Sequence, residues 1–337
     1  MEKVFRKENQ VYMQGIHKAR CKAHWKETCW KNTGEMKMER LVSIVILNWN
    51  GKKDVEQCID SLYKNTSYKN FEIVLVDNGS KDGSVEVLKE MKKKGLIHQL
   101  ILNDENKGFG GGNNQGMAIA KGDYIFLLNN DTFVTKNWLK NIVTVAEAKE
   151  DVGIVGPHFP LVDNPDFIFG GGYIDDAGRA INMYNKDDRD VEQVSGGAFL
   201  IKKPVLDRVG FFDPGFFPIY FEESDYCARA RRAGFKIFFT TKSKVLHNES
   251  ASTKRQTSKW QYVTINKNRL RHMLIHFPKL RLVKSVFWEI LRFVKELGQF
   301  RAHWLLEAWF INLKSTKDIV SKRINYKKGK LFVEAKE

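Results

Sequence analysis

The chain alternates short apolar runs with longer amphipathic segments between residues 41 and 140. Four runs rich in aliphatic and β-branched residues predict buried strands over Leu41–Leu47, Phe71–Asp77, Leu96–Leu102 and Asp123–Asn129. The segments between them predict helices over Asp54–Lys64, Ser84–Lys94 and Asn114–Ala120. This alternation predicts an α/β fold with a mostly parallel sheet and helices on both faces.

Beyond residue 150 the pattern is less regular. Residues 150–250 mix short strands and turns with one basic helix, predicted over Ser224–Ala233. Residues 258–315 predict amphipathic helices, and one apolar face is made of Val283, Phe287, Ile290, Leu291 and Val294. Lysine and arginine side chains lie off that face, at Lys284, Arg292 and Lys295. The basic tail after Ser321 is expected to be loosely held.

Polar residues follow the predicted strands at their carboxyl ends, where open parallel sheets bind ligands. The second strand ends in Asp77, and the stretch that follows to Gly83 is, taken alone, a turn more often than a site. The fourth strand ends in Asn129-Asn130-Asp131-Thr132. One carboxylate among amide and hydroxyl oxygens suits Mg²⁺ or Mn²⁺. The same residues suit a helix-capping Asx turn equally well.

The glycine-rich segment Asn106–Gly116 separates the third strand from the next helix. Glycines let the backbone approach a ligand closely, and a helix N-terminus favours anions. The segment differs from a dinucleotide-binding fingerprint, because Asn113 stands where the third glycine is required and the loop follows the third strand. A dehydrogenase is therefore disfavoured.

An acidic pair, Glu222 and Glu223, precedes the predicted basic helix. Acidic residues before a helix suit its dipole, which explains much of the arrangement. The aromatic approach over residues 210–217 adds an apolar wall, which would raise a carboxylate pKa and make it a better base near neutral pH. His247 is by default an ordinary polar residue, but with Asp131 it would complete a metal site.

Composition narrows the function classes only partly. The 337 residues are 42% hydrophobic and 28% charged, as in globular proteins, and the net charge of +16 favours polyanionic partners such as nucleic acid, nucleotides or an acidic membrane surface. Four scattered cysteines fit a reducing compartment. No stretch reaches the roughly 18–20 apolar residues of a membrane-spanning helix, and the N-terminus lacks the apolar core of a secretory signal. We therefore expect a cytoplasmic protein. The amphipathic helices after Trp260 either pack on the rest of the protein, the commoner fate of such helices, or lie on the inner face of the plasma membrane, which the basic excess favours.

Residues 1–40 are interpreted as a flexible basic leader. A zinc site there is disfavoured, because its metal-capable side chains lack paired spacing; these are His17, Cys21, His24 and Cys29. Met38, just before the first strand, is a candidate for the true start of the protein.

Taken in order, the motifs resemble glycosyltransferase family 2, and especially its bacterial rhamnosyltransferase-like members. The resemblance extends from Val42 to Phe277 and is carried by VSIVILNWNG, VLVDNGSKDGS, NKGFGGGNNQG, FLLNNDT, SGGAFLIKK, VGFFDPGFF, FEESDYCARARRAG and VLH. It implies a GT-A fold, which is a Rossmann-like, mixed, mostly parallel sheet. The implied domains are a catalytic domain over 41–277, divided into a nucleotide-binding half (41–140) and an acceptor-binding half (141–277). Residues 278–337 would form an amphipathic, basic helical region.

The resemblance also implies residue roles. Trp49 would stack on the donor base, and the other nucleotide-binding residues would be Asn48, Asn50, Asp77, Ser80, Asp82, Asn106, Gly108, Asn113 and Asn130. Asp131 and His247 would hold Mg²⁺ or Mn²⁺. Glu223 would be the catalytic base, with Glu222 beside it. The acceptor would be bound by Gly196 and Gly197, although these two residues suit a simple turn equally well, and by Asp225 and Arg229, which would also support the start of the basic helix.

The implied function is an inverting, metal-dependent hexosyl- or deoxyhexosyltransferase. Its donor would be a dTDP- or UDP-linked sugar, with rhamnose expected first, and its acceptor a hydroxyl of a cell-surface glycan or lipid-linked precursor. Two departures stand out: Asn129 replaces the first carboxylate of the family's Asp-x-Asp motif, and glutamate occupies the base position where many members have aspartate.

Two alternatives stay open. Asn129 is compatible with a catalytically impaired, nucleotide-binding member. A nucleic-acid-binding protein is the other, although no nucleic acid partner is expected; it would use Lys254, Arg255, Lys259, Lys267, Arg269 and Arg271.

Overall fold

The structure is a computed structural model that describes residues 39–166, 168–184, 187–248 and 258–334. The predicted leader up to Met38, with its four metal-capable side chains, lies outside the described residues, as do Lys254 and Arg255. Across the described ranges, no helix combines the length and the apolar character needed to cross a bilayer.

Eleven strands are present in the described part of the chain. They are β1 Val42–Asn48, β2 Phe71–Asp77, β3 Gln99–Leu102, β4 Tyr124–Asn129, β5 Thr132–Val134, β6 Val152–His158, β7 Gly172–Ile174, β8 Ala180–Asn182, β9 Arg189–Val191, β10 Ala198–Lys202 and β11 Lys236–His247. The main sheet has the order β3-β2-β1-β4-β10-β6-β11-β5, with β9 also on β11, whereas β7 and β8 form a separate hairpin. Pairing is parallel from β3 to β4, and β10 is antiparallel to both of its neighbours. The predicted α/β class with a mixed sheet is confirmed.

Ten helices are present in the described part of the chain, and the first six cover both faces of the sheet. The ten helices are α1 Lys52–Asn65, α2 Ser84–Lys93, α3 Gly108–Ile119, α4 Trp138–Ala148, α5 Lys203–Val209, α6 Glu222–Arg232, α7 Ser258–His276, α8 Lys279–Gly298, α9 Ala302–Lys314 and α10 Thr316–Lys327. A short 3₁₀ turn spans Pro214–Phe216.

The hydrophobic core consists of two clusters, one on each face of the sheet. Successive side chains of a strand point to opposite faces, so Ile44 and Ile46 join one buried cluster and Val45 joins the other. The first cluster includes Trp138 of α4, whose ring meets Phe126 edge-on at 4.7 Å between centroids. This double burial explains why these runs are almost wholly apolar.

The glycine-rich segment differs most from its predicted form. We expected a loop up to Asn114, but α3 already begins at Gly108. A Cβ at Gly112 would lie 2.3 Å from Leu47 Cδ1, and one at Gly116 would lie 2.4 Å from Val45 Cγ1. These glycines therefore let a helix pack directly on β1, and this packing outweighs their low helix propensity.

Two other predicted boundaries move by a few residues. The third strand begins at Gln99 instead of Leu96, and the basic helix begins at Glu222 instead of Ser224.

The expectation of a loose tail after Ser321 is wrong. Helix α10 continues to Lys327, and Val333 then forms backbone hydrogen bonds with Val209 (3.1 Å) and Phe211 (2.9 Å). Gly210 is needed there, because its φ is +70° and a Cβ would lie 2.0 Å from the Val333 carbonyl oxygen.

Helix α10 is also anchored by a buried carboxylate. Asp213 has no exposed surface, and its Oδ2 accepts a 2.9 Å hydrogen bond from Arg271 Nη2. Lys322 of α10 donates to its Oδ1, and Arg271 Nη2 also donates to Asp318 Oδ2 at 2.5 Å. The basic tail is thus held in place by Asp213 and Arg271, which are far from it in the sequence but in contact with it in the structure.

We expect Asp213→Asn to lower the free energy of unfolding by about 3 kcal/mol, because the nearly buried Arg271 would lose its main counter-charge. Urea unfolding measures this change. The matched control Glu90→Gln breaks an exposed ion pair with Lys94 and should leave unfolding unchanged. Equal effects of the two substitutions would contradict the anchoring role.

Candidate active site

A cavity of about 630 Å³ opens at the carboxyl ends of β1 and β4. It is lined by residues from segments that are far apart in the sequence. Among the predicted site residues, those that line it are Trp49, Asn106, Gly108, Asn130, Asp131, Gly196, Gly197, Glu222, Glu223 and His247. The remaining predicted residues do not line the cavity, and their side chains hold the loops or the helix in place.

Asp77 belongs to the internal frame of the site. Its side chain is fully buried; Oδ1 accepts from the Ser80 backbone N–H (2.9 Å), and Oδ2 accepts from Asn48 Nδ2 (2.9 Å) and Ser80 Oγ (2.7 Å). The Asn50 N–H donates in turn to Ser80 Oγ at 2.8 Å. This arrangement lets Asp77 fix the loops around Trp49, and its contact with a nucleotide stays a prediction.

Three other predicted nucleotide-binding residues also make intrachain contacts. Asp82 accepts from the Lys52 backbone N–H at 2.9 Å, which ties the loop after β2 to the start of α1. Asn130 Nδ2 donates to Asn48 Oδ1 at 2.8 Å and so joins the loop after β4 to β1. Asn113 is buried within α3, where its Nδ2 donates to the Phe109 carbonyl at 2.9 Å.

Asn78 is a lining residue that the sequence analysis missed. Its Nδ2 donates to Asn106 Oδ1 (2.9 Å) and to the Gly108 carbonyl (3.1 Å), and its Oδ1 accepts from the Lys107 N–H (3.0 Å). The only sequence signal was its place directly after Asp77, which we interpreted as a turn. Asn78 therefore shapes the start of α3 on the cavity side.

Gly108 has to be glycine at this point. Its φ is +75°, and a Cβ would lie 2.8 Å from both the Phe217 ring and the Pro218 carbonyl. The start of α3 therefore lies directly against the segment that precedes α6, and these two parts of the cavity lining are in contact at Gly108.

Strand pairing brings the two predicted metal ligands together. In the β5–β11 ladder, His247 pairs with Thr132, the residue after Asp131. The Asp131 Oδ1 lies 3.5 Å from His247 Nε2, and the His247 ring stacks on Phe159 with 4.9 Å between centroids. An aromatic neighbour and a strand end thus hold the imidazole against the carboxylate.

The Asp131–His247 pair suits a metal ion whose remaining ligands come from the substrate. Hard cations often take one or two protein ligands and complete their shell with phosphate oxygens and water. Within the described ranges, no cluster of three or more His, Cys, Asp or Glu side chains could hold a metal. Asp131 and His247 therefore suit an open site, and not a cage made wholly of protein ligands.

Glu223 lies in the cavity at the start of α6. Burial raises the pKa of its carboxyl group, an effect that a 3.3 Å hydrogen bond from Ser224 Oγ partly offsets. A Cβ at Gly196 would come within 3.4 Å of Glu223 Oε2. The glycine therefore leaves room beside the carboxylate for another group.

Glu222 is even more deeply enclosed, with 1% of its surface exposed. Neither carboxyl oxygen has a hydrogen-bond partner of good geometry among the described residues, and the backbone N–H groups of Glu222 and Gly110 favour its charged form only weakly. Burial, and then the neighbouring Glu223, raise the pKa of Glu222 well above its usual value. Lys267 only partly offsets this shift, and burial lowers the pKa of Lys267 itself to about 8.

The approach to α6 is conformationally strained. Tyr220 and Phe221 have φ values of +82° and +73°, which bulky residues rarely adopt. Asn268 of α7, fully buried, donates through Nδ2 to the carbonyls of Ile219 and Tyr220, both at 2.9 Å. Asn268, which the sequence analysis did not identify, thus holds the backbone that aims the acidic pair.

Asp225 and Arg229 lie outside the cavity, contrary to the predicted acceptor contact. Both are fully buried, and Arg229 Nε donates to Asp225 Oδ2 at 2.8 Å. Burial would raise the pKa of Asp225, but Arg229 and His276 hold it below its usual range. These residues support α6 from behind and offer no surface to an acceptor.

Each basic residue that was proposed for nucleic-acid binding and that the structure describes has a partner within the chain; Arg269 and Arg271 are buried, Lys267 donates to the Phe217 carbonyl, and Lys259 forms an exposed ion pair. Arg269 is 1% exposed and pairs with Glu289 at 2.7 Å, whereas Arg271 is held by Asp213. Lys259 pairs with Glu307 at 2.9 Å. This cluster is therefore unsuited to a phosphate-binding patch.

Comparison with known proteins is consistent with this site. Residues 43–210 match the family described as Glycosyl transferase family 2. The chain is similar to glycosyltransferase GlyG of Streptococcus pneumoniae, with 32% identity over 36% of this chain and 40% of GlyG. It is also similar to the low-salt glycan biosynthesis hexosyltransferase Agl10 of Haloferax volcanii, with 25% identity over 68% of this chain and 74% of Agl10.

The chain covers only 25–40% of the length of three of its curated relatives, one of which is GlyG. Among solved structures, GalNAc-T7 with UDP, GalNAc and Mn²⁺ superposes with a TM-score of 0.59 at 22% identity, over 70% of this chain and 48% of that one. This likeness shows that the two proteins share a fold.

We expect Glu222→Gln to stabilise the protein at neutral pH. A carboxyl group whose pKa is raised by folding opposes folding once it ionises, so stability is lost as the pH rises above 4.5, the ordinary value of glutamate. The gain from the neutral amide should therefore shrink as the pH falls below 4.5. Urea unfolding on both sides of that value measures it, and the exposed Glu86→Gln is the control. A gain that does not vary with pH would contradict the enclosed state of Glu222.

Proposed function

The chain belongs to glycosyltransferase family 2, and we propose that it transfers a sugar from a nucleoside-diphosphate sugar to a hydroxyl group of a glycan or lipid-linked acceptor. One observation carries the proposal. The Asp131–His247 pair and the Glu223 carboxylate line the same cavity, so a group that binds diphosphate and a group that accepts a proton share one space.

The donor side is formed by the loops after β1, β3 and β4. Trp49 is 36% exposed at the cavity and offers a flat surface on which a base can stack. Asn106 and Gly108 would lie against ribose and phosphate at the start of α3. UDP in GalNAc-T7 supports a UDP-linked donor, whereas a dTDP-linked rhamnose is supported by the motif resemblance alone.

The acceptor side is formed by Glu223 and the small residues opposite it. Glu223 would accept the proton of the attacking hydroxyl, a task for which a carboxyl group with a raised pKa is suited. That hydroxyl would attack the anomeric carbon from the face opposite the leaving diphosphate, so configuration would invert in one displacement. Gly196 and Gly197 would leave space for the acceptor ring.

Asp131 and His247 would hold Mg²⁺ or Mn²⁺ between them, and Mn²⁺ in GalNAc-T7 supports such a requirement. The bound cation would supply positive charge to the leaving nucleoside diphosphate. The polysaccharide or cell-wall pathway and the cytoplasmic location belong to the same proposal. A peripheral contact with acidic membrane is compatible with it and does not depend on it.

A second candidate is a family member that binds nucleotide without transferring sugar. It is favoured by Asn129, which lines the cavity and stands where the family has a first acidic residue. Binding and transfer therefore have to be measured separately.

We expect UDP or dTDP with Mn²⁺ or Mg²⁺ to raise the Tm of the purified protein, with GDP and NAD as comparison ligands. A ligand at about 100 times its dissociation constant adds about 2.7 kcal/mol, which is worth a few degrees. Asp131→Asn should abolish the metal-dependent part, whereas the exposed Asp60→Asn should retain it. A shift with nucleic acid but with no nucleoside diphosphate would refute the donor site.

We expect Glu223→Gln to reduce sugar transfer by at least about 100-fold while donor binding is retained, because the amide cannot accept the hydroxyl proton. Release of nucleoside diphosphate measures turnover, and calorimetry measures binding. Glu86→Gln is the control with unchanged activity. Unchanged transfer in Glu223→Gln would eliminate Glu223 as the base. Donor binding without transfer by the unaltered protein would favour the second candidate.

A further inference from the structure

Helix α8 presents its apolar side to the outside of the molecule. Surface helices of globular proteins bury their apolar stripe and expose their polar residues. Leu282 and Phe293 of α8 do face inward, where Leu282 packs on the core and Phe293 stacks on Trp309. Most of its other apolar side chains are exposed, however, and its two most buried side chains are polar, Ser285 and Glu296, at 3% and 4% exposed. The outer face of α8, as we name it, consists of side chains that are 53–72% exposed, namely Leu280, Val283, Val286, Phe287, Ile290, Val294 and Leu297.

Polar contacts attach the inner side of α8 to the rest of the protein. Ser285 Oγ donates to the Asp176 carbonyl at 2.9 Å, and Arg281 Nε donates to Asp176 Oδ1 at 2.9 Å. Glu289 Oε2 accepts from Nη2 of the buried Arg269 of α7 at 2.9 Å. These hydrogen bonds fix the rotation of the helix, so the exposed apolar side cannot turn inward without breaking the buried Arg269–Glu289 ion pair.

The end of α8 adds one more exposed aromatic residue. Phe300, in the turn between α8 and α9, is 89% exposed and has a φ of +56°. A bulky residue in the left-handed region is strained, and here the strained backbone holds an apolar ring in solvent. Such an arrangement gains stability only when the ring finds an apolar environment.

The charges beside this surface are positive. Lys279, Lys284 and Lys295 are exposed on α8, whereas the acidic residues within α8, Glu289 and Glu296, face inward. Residues 278–337 contain fourteen lysines and arginines against six aspartates and glutamates. The outer face therefore combines apolar side chains with lysines.

We propose that the outer face of α8 docks on an anionic phospholipid bilayer, with the helix lying in the plane of the interface. An interfacial helix places its apolar side chains at the boundary of the acyl chains and its lysines among acidic head groups. A second copy of the chain is a poorer occupant, because two such faces would bring lysines together without exposed α8 carboxylates to neutralise them.

Helix α7 connects the docking surface to the cavity, since its Trp260 lines the cavity and its Arg269 pairs with Glu289 of α8. Docking of α8 would place the enzyme on the same membrane surface as an acceptor carried on a lipid. This last step rests on the proposed function, whereas the binding to vesicles does not.

The test is flotation of the full chain with vesicles of phosphatidylcholine alone or with about 30% phosphatidylglycerol. We expect at least about 10-fold tighter binding to the anionic vesicles, weakened by high salt. The combined substitution Phe287→Ser, Ile290→Ser and Val294→Ser should abolish this binding, and Lys284→Gln with Lys295→Gln should weaken it on anionic vesicles. Ile119→Ser, at an exposed apolar site on α3, is the matched control and should bind normally.

The nucleotide-dependent rise in Tm, or circular dichroism if that rise is absent, verifies that each variant is folded. Equal binding of the unaltered protein and the triple serine variant to anionic vesicles would overturn the proposal. So would absence of vesicle binding together with a dimer that the triple variant dissociates, which would assign the face to a second copy. Vesicle binding without sugar transfer would instead refute the proposed function and leave the docking surface standing.

Discussion

The buried ion pair between Asp225 and Arg229 is the contact on which the second half of the structure depends. Arg229 also donates to the carbonyls of Val209 (2.5 Å) and Phe211 (2.7 Å), and the other carboxylate oxygen of Asp225 contacts His276 at 2.7 Å. A single pair thus joins α6 to the end of α5 and to α7. Because a buried charge without its partner costs several kcal/mol, α6 cannot shift without breaking the whole arrangement.

This rigidity serves the acidic pair at the start of α6. Glu222 is enclosed without a hydrogen-bond partner of good geometry among the described residues, and the two residues before it have strained backbones. Proteins tolerate such local costs where a functional geometry requires them, provided that the surrounding packing prevents relaxation. The buried frame of Asp77, Asn48 and Ser80 has the same role on the opposite wall, where it holds the loop that carries Trp49.

The positive charge of the chain is divided between two uses. Arginines of α7 face inward, where Arg269 and Arg271 pair with carboxylates and connect the C-terminal helices to the body. Lysines of α8 remain outside beside an apolar surface. The net charge of +16 is therefore not concentrated in one basic patch. The buried arginines of α7 contribute to folding, whereas the exposed lysines of α8 remain available to a partner surface.

The sequence by itself determined the strands β1, β2 and β4, because runs buried on both faces leave a continuous apolar signal. The order of the polar motifs at the strand ends also sufficed to identify the family. Only the tertiary structure decided that the glycines of α3 pack on β1 and that the basic tail is ordered. It also decided that Asp77, Asp225 and Arg229 face inward. The physical reason is distance along the chain: periodicity is local, whereas Asp213 meets Arg271 and Lys322 across 58 and 109 residues. Which charges meet across such separations is settled only when the elements pack.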